Sequence, residues 1–208
     1  MIITIDGLST NGKTTLAKLL AKTLNYKSLN SGSIYRALTL YILNNKLDMN
    51  NINDTLFKLD NANVEIIENN VYLNGALVTN EIRSNEVSLY SAKYANIKQF
   101  KEYVNKYINK IVEEGNLVIE GRDVGTRVVP NADYKFYLYS DFDVRVKRLA
   151  SINPNMSEYE IRASLQERDT FDINGGNFVK PTNAISINTT NYTLEEVYNI
   201  MLNIIKGE

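Results

Sequence analysis

The chain has 208 residues, with 23 basic and 24 acidic side chains and a formal net charge of -1. It can bury one substantial core but offers no bulk charge for a nucleic acid or a membrane surface. It has no Cys and no His, which excludes disulfides, thiolate metal sites and an imidazole general base.

Ile2 to Ile5 is a short apolar run ended by Asp6 and Gly7, which reads as a buried strand. No basic leader flank precedes it, and no apolar run reaches roughly 18 residues. A cytoplasmic protein that binds neither nucleic acid nor membrane is expected. Gly7, Leu8, Ser9, Thr10, Asn11, Gly12, Lys13 and Thr14 then match G-x-x-x-x-G-K-[ST] without a gap. Leu16, Leu19, Leu20 and Leu24 recur at helical spacing behind them, so the motif stands in the strand, loop and helix order that its chemistry requires. Its glycines let successive N–H groups turn towards phosphate oxygens. Lys13 adds a charge near the outer phosphates, Thr14 offers a hydroxyl to Mg²⁺, and the helix N-terminus adds its dipole.

"SGS", residues 31 to 33, reads as a small turn ahead of a helix over 33–43 whose first turn carries Arg36. "NKLD", residues 45 to 48, fits the pattern by which guanine-nucleotide switches read their base. It sits where this helix runs out rather than after a late strand, and Asn and Asp are ordinary turn residues, so it is read as a chance match. A third helix is expected over 51–59. "VEIIENNVYLNGALV", residues 64 to 78, holds two turn signals, "ENN" and "NG", between β-prone runs and reads as a small antiparallel insertion.

Ile97, Phe100, Val104, Ile108, Ile111 and Val112 mark a long helix ending at Gly115. The strand "NLVIE" runs from there into "GRDVGT", placing Arg122 and Asp123 at a strand exit, where open α/β sheets bind ligands. "YKFYLY", residues 134 to 139, is another buried strand, followed by helices over 141–151 and 157–168. "ERDTFD", residues 167 to 172, supplies Arg168 and carboxylates after the second of these, and "INGGNF" reads as a flexible loop. "AISI", 184 to 187, is the last strand, and Thr193 with Glu196 is spaced as a capping box for the final helix. Alternating strands and helices imply an α/β fold, a parallel sheet flanked by helices.

These motifs in this order resemble the bacterial cytidylate kinases of the nucleoside monophosphate kinase superfamily. "IDGLSTNGKTTLAKLLA", "SGSIYRA", "NGALVTNEIRSNEVS", "EGRDVGT", "PNADYKFYLYSD", "ERDTFD" and "AISINTTNYTLEEV" carry the resemblance over essentially the whole chain. It implies a P-loop kinase fold with a core at about 1–30, 115–140 and 183–208, a monophosphate-binding region at about 31–114 and a helical lid at about 141–182. It also implies ATP as phosphoryl donor, Mg²⁺ as cofactor, a pyrimidine nucleoside monophosphate as acceptor, small-molecule nucleotides as its partners, and a monomer.

Under that resemblance the loop residues 7–14 with Thr15, and the lid residues Arg145 and Arg148, hold ATP. Ser31, Arg36, Lys101, Arg122, Asp123, Arg168 and Asp172 hold the acceptor. Lys13, Arg122 and Arg168 stabilise the transferred group. Thr14 holds the metal with an acidic partner, for which Glu120 and Asp6 are the candidates and Glu120 is preferred. Alternatives from other classes are a same-fold kinase with a different or relaxed acceptor, such as UMP, and a nucleotide-binding switch.

Departures from the family pattern bear on the base. Asn30 stands where Asp is usual, Ala92 and Lys101 where a Ser and an Arg read the base, with Ser91 adjacent, and Gly175 where a further Arg follows "ERD". The arginines that would hold phosphate are present. Phosphoryl transfer is therefore expected to persist, with selectivity for cytosine less strict than in the relatives.

Overall fold

Residues 1–67 and 70–207 are described by the computed structural model. They form two compact units, one comprising Met1–Ser28 with Gly115–Glu208, the other Leu29–Glu114.

The first unit is built on β1 (Ile2–Asp6), β6 (Leu117–Gly121), β7 (Tyr134–Tyr139) and β8 (Ile185–Asn188). With β2 (Lys27–Asn30), within which the chain passes to the second unit, they give the strand order β2-β6-β1-β7-β8. β1 pairs in parallel with β6 and β7, and β7 with β8. Ile5 stands opposite Glu120 and Phe136, and Asp6 opposite Gly121 and Tyr137, so the exits of these three strands share one edge. The chain runs from β1 to β2 on one side, returns to β6, and then crosses β1 to β7 and β8 on the other, so the strand order reverses about β1, where open α/β sheets form their crevice.

The core lies between the sheet, α1 (Lys13–Leu24) and α8 (Leu194–Lys206). Ile3, Ile5, Val118, Phe136 and Leu138 meet Leu16, Leu20, Val197 and Met201, all buried. α8 carries the expected capping box, with Thr193 and Glu196 each bonded to the other's backbone N–H. α6 (Phe142–Ile152) and α7 (Glu158–Asn174) pack on each other through Val146, Ile161 and Leu165. α7 runs six residues beyond the expected end at 168. The reason is that "DTFDIN" contains no breaker, and the chain stops only at Gly175 and Gly176, the latter at φ 64. Both helices belong to the first unit.

In the second unit α2 (Ser31–Asn44) packs against α3 (Ile52–Leu59), α4 (Asn85–Ala95) and α5 (Lys98–Val112). The expected insertion is a three-stranded antiparallel sheet of β3 (Val64–Ile67), β4 (Asn70–Leu73) and β5 (Ala76–Leu77). Of its turn signals, "NG" lies in the β4 to β5 turn, while Glu68 and Asn69 of "ENN" lie outside the described residues. Phe100, Val104 and Ile108, four apart on α5, are fully buried. Tyr107 brackets Val64, its hydroxyl accepting from the backbone N–H at 2.7 Å and donating to the carbonyl at 3.3 Å, which ties the small sheet to α5.

The Ser-Gly-Ser segment is not a turn before α2 but its first turn. Asn30 supplies the cap, its side-chain oxygen accepting the N–H of Ser33 at 3.0 Å, so Arg36 falls in the second turn. "NKLD" is local turn structure. Asn45 closes α2 with its amide on the Tyr41 carbonyl at 2.8 Å, and Asp48 accepts both the backbone and side-chain N–H of Asn50 at 2.9 Å. No helix among the described residues is long and apolar enough to cross a membrane.

Candidate active site

The loop between β1 and α1 has the backbone that the motif demands. Gly7 sits at φ 151, and a Cβ there would lie 2.2 Å from the Leu138 carbonyl oxygen, so no side chain fits. Gly12 caps α1 in the left-handed region at φ 81. No side chain caps α1 and no acidic residue stands in its first turn, which leaves its N-terminal dipole for an anion. Thr14 and Thr15 are exposed there. The loop is braced from within. Lys13 donates to the Leu8 carbonyl at 2.7 Å, Asn11 to the same oxygen at 3.3 Å, and Ser140 to Asn11 at 2.6 Å.

Lys13 is buried, and burial first, the Arg122 guanidinium second, bring its ammonium down from 10.5 to about 7; Glu120, Asp6 and Asp172 pull the other way. A phosphate chain seated in the loop would favour the charged form. The Thr14 hydroxyl donates to the Glu120 carboxylate at 2.8 Å. A hydroxyl and a carboxylate side by side at the mouth of a phosphate loop fit Mg²⁺, which takes one or two protein oxygens and completes its shell with phosphate and water. Asp6 is otherwise engaged. Its two oxygens accept the backbone N–H groups of Val124 and Gly125 at 2.8 and 2.7 Å, and burial raises its carboxyl from 3.8 to about 6 in spite of those bonds.

Beyond β6 the chain forms one wide π turn, Val124–Val128, in which Val129 N–H reaches back to the Val124 carbonyl. Asp6 fastens this turn to the sheet. Arg122, just before it, crosses the loop: its Nη2 donates to Ser9 Oγ at 2.9 Å and its Nη1 to the Gly7 carbonyl at 3.4 Å, while Nε pairs with Asp172 at 2.6 Å. Asp172 thus lies within α7 rather than after a helix, facing an arginine. Asp123 is buried and pairs with Arg127 at 3.0 Å.

The lid arginines are not on a solvated face. Arg145 forms a buried ion pair with Asp169 at 2.6 Å, lies 5.4 Å from the centre of the Phe142 ring, and donates to the Ser9 carbonyl at 3.4 Å. Arg148 holds Thr189 through its hydroxyl and carbonyl. Arg168 is exposed and makes no hydrogen bond or ion pair with the described residues. Within the first unit, then, the structure brings Lys13, Thr14, Glu120, Arg122, Asp172 and Arg145 to one loop. Three partners escaped the sequence reading: Asp169, Ser140 and Arg127. The i, i+3 spacing of Asp169 and Asp172 on a helix was the available sign for the first; for Ser140 and Arg127 there was none.

In the second unit Ser31 is buried in the first turn of α2. The Arg36 guanidinium turns back along the helix, its Nη1 3.8 Å from the place a Gly32 Cβ would occupy. Lys101 is half-buried on α5, and Ser91 is buried on α4 beside the half-buried Ala92.

The family model described as cytidylate kinase matches residues 3–207. The chain is 34% identical to the cytidylate kinase of Clostridioides difficile (strain 630), over 95% of this chain and 94% of that protein. It is 37% identical to that of Fervidobacterium nodosum, over 98% and 95%. Among solved structures, an uncharacterised protein from Eubacterium ventriosum aligns with TM-score 0.55 at 13% identity, covering 100% of this chain and 99% of that one. A Thermus thermophilus protein aligns at 0.51 and 17% identity, covering 100% and 96%. These two share the fold. With its phosphate loop, its GRD turn and its full-length match to the family model, the chain belongs to the cytidylate kinase family.

Proposed function

We propose that this chain transfers the terminal phosphoryl group of ATP to CMP or dCMP, giving ADP and CDP or dCDP. An oxygen of the acceptor phosphate attacks the γ-phosphorus in line, and the bond from that phosphorus to the bridging oxygen of ADP breaks. The attacking group is already an anion, so no base has to remove a proton, and a chain without His can carry the reaction. The single observation that best supports this is Arg122, whose guanidinium spans Ser9 of the loop and Asp172 of α7.

Residues 7–15 cradle the donor phosphates through backbone N–H groups, and Lys13 neutralises charge on the outer ones. Thr14 and Glu120 would hold Mg²⁺, which would offset negative charge on the donor phosphates. Asp6, committed to the turn after β6, is not the metal's partner. Arg145 and Arg148 belong to the donor side. Ser31, Arg36 and Arg168 bind the acceptor phosphate together with Arg122, as arginine forks suit phosphate oxygens. Asp123 and Lys101 face the base, and Asp172 the ribose. Residues 141–182 act as the lid that excludes water, which would otherwise accept the phosphoryl group. The protein acts as a cytoplasmic monomer.

Release of ADP from ATP and Mg²⁺ tests the proposal, with CMP, dCMP, UMP, AMP, GMP and no acceptor compared. Stimulation by CMP and dCMP is expected. Equal slow release with every acceptor and with none would instead indicate a nucleotide-holding switch. Arg36→Ala should raise the acceptor KM and lower kcat while leaving ATP binding almost unchanged; unaltered acceptor kinetics would remove Arg36 from the site.

A further inference from the structure

Gly175 stands where the family pattern has an arginine, and the structure holds another arginine beside that position. Arg127 lies on the π turn after β6, and its Nη1 donates both to Asp123 at 3.0 Å and to the carbonyl of Gly176, the residue next to the gap. Its side chain is 39% exposed, and Nε and Nη2 make no hydrogen bond with the described residues. The turn beneath it is rigid: buried Asp6 holds two of its N–H groups, and a Cβ on Gly125 would come within 2.7 Å of Thr4 Oγ1. A guanidinium with unused donors is thus held on a fixed base against Asp123.

We infer that Arg127 supplies the base-reading guanidinium that position 175 lacks, and with Asp123 sets a preference for cytosine over uracil. The inference rests on the reading of Asp123 as a base contact. Cytosine offers a donor at its 4-amino group and acceptors at N3 and O2, whereas uracil reverses the first two. A carboxylate beside an arginine fork meets the cytosine edge with acceptor against donor and donor against acceptor. Against uracil the carboxylate would face O4, two acceptors together, with neither able to pair. Cytosine selectivity is retained on this account, in place of the relaxed selectivity expected from the departures at Ala92, Lys101 and Gly175.

The test uses the full-length protein and steady-state ADP release with CMP and UMP. Arg127→Ala should lower kcat/KM for CMP about tenfold or more with a much smaller change for UMP, the ATP KM staying constant. Adding Gly175→Arg to that variant should restore the CMP to UMP ratio. Gly175 has the ordinary helical φ of -74, so an arginine fits its backbone. An equal loss with both acceptors, unrestored by Gly175→Arg, would mean that Arg127 only braces α7 and would overturn the inference. Asp123→Asn separates the two levels. If it changes the CMP to UMP ratio while Arg127→Ala does not, the inference fails and the reading of Asp123 stands; if neither changes it, the reading of Asp123 fails as well.

Discussion

Replacing Asp169 by Leu should loosen α6 and α7 far more than replacing Asp169 and Arg145 together. The two side chains are each only 7% exposed and meet at 2.6 Å. Removing one partner leaves a buried charge without compensation, which costs about 3 to 5 kcal/mol, whereas exchanging both for apolar residues of similar size is often close to neutral. Asp169 Oδ1 has no hydrogen-bond partner even in the intact pair, so the pair's own net contribution is modest, while the Arg145 left behind keeps only its 3.4 Å bond to Ser9 and the Phe142 ring. Hydrogen exchange of the α7 amides reads local opening directly. At tenfold per 1.4 kcal/mol, Asp169→Leu should speed it by roughly a hundred-fold to a few thousand-fold. The Arg145→Met, Asp169→Leu double variant should return to within about tenfold of the parent. A single variant indistinguishable from the parent, or a double variant worse than the single, would refute the reasoning that this pair is held by burial rather than by solvent-exposed contact.

Thr14→Val removes the hydroxyl that faces Glu120 and should lower kcat by about 10²-fold, as loss of one oriented stabilising group does, with the Mg²⁺ activation midpoint moving upward; an unchanged metal dependence would exclude Thr14. Asp6 should titrate near 6 when followed by carboxyl ¹³C shifts, against about 3.9 for an ordinary Asp. Because the folded form holds its proton more tightly than the unfolded one, this group lowers stability as pH rises from about 4 to 6, and the loss then persists without further change above 6; a midpoint below 4 would contradict the burial argument. Asn30→Asp should leave the stability of the helix it caps within about 0.5 kcal/mol, since the two residues cap equally well, while Asn30→Ala should cost about 1 kcal/mol in denaturant titration.

The parallel sheet was readable because its long strands are mostly apolar runs between turn signals, and the phosphate loop because its glycines occupy fixed offsets. β2 was not readable: "KSLN" has one buried residue, Leu29, and gains its strand state from pairing beside β6 rather than from its own pattern. The break between α4 and α5 was also hidden, since Ile97 continues the apolar spacing of α5 although it lies outside that helix at φ -82 and ψ 113. Site residues split the same way. Lys13, Thr14 and Arg122 stand in motifs, whereas the engagement of Asp6 with a turn 118 positions along the chain depends on registry between β1 and β6 that no local pattern encodes. At Asn30 the capping of α2 is a role that either amide or carboxylate can fill, since the side-chain oxygen accepts the Ser33 N–H.

α7 shows why the charges of "ERDTFD" divide as they do. Asp169 and Asp172 fall at i and i+3 on α7, about 60° apart at 100° per residue, and pair with Arg145 and Arg122, while just past the helix end the Gly176 carbonyl accepts from Arg127. Two of those arginines also touch Ser9, Arg122 at the hydroxyl and Arg145 at the carbonyl. The docking of α7 and the conformation of the phosphate loop therefore share one residue, and an anion in the loop that draws Arg122 towards itself weakens its hold on Asp172. Arg168 is one position removed from Asp169, about 100° round the helix, and so escapes this neutralisation. The carboxylates of Asp169 and Asp172 are already engaged by other arginines, which leaves Arg168 an exposed guanidinium.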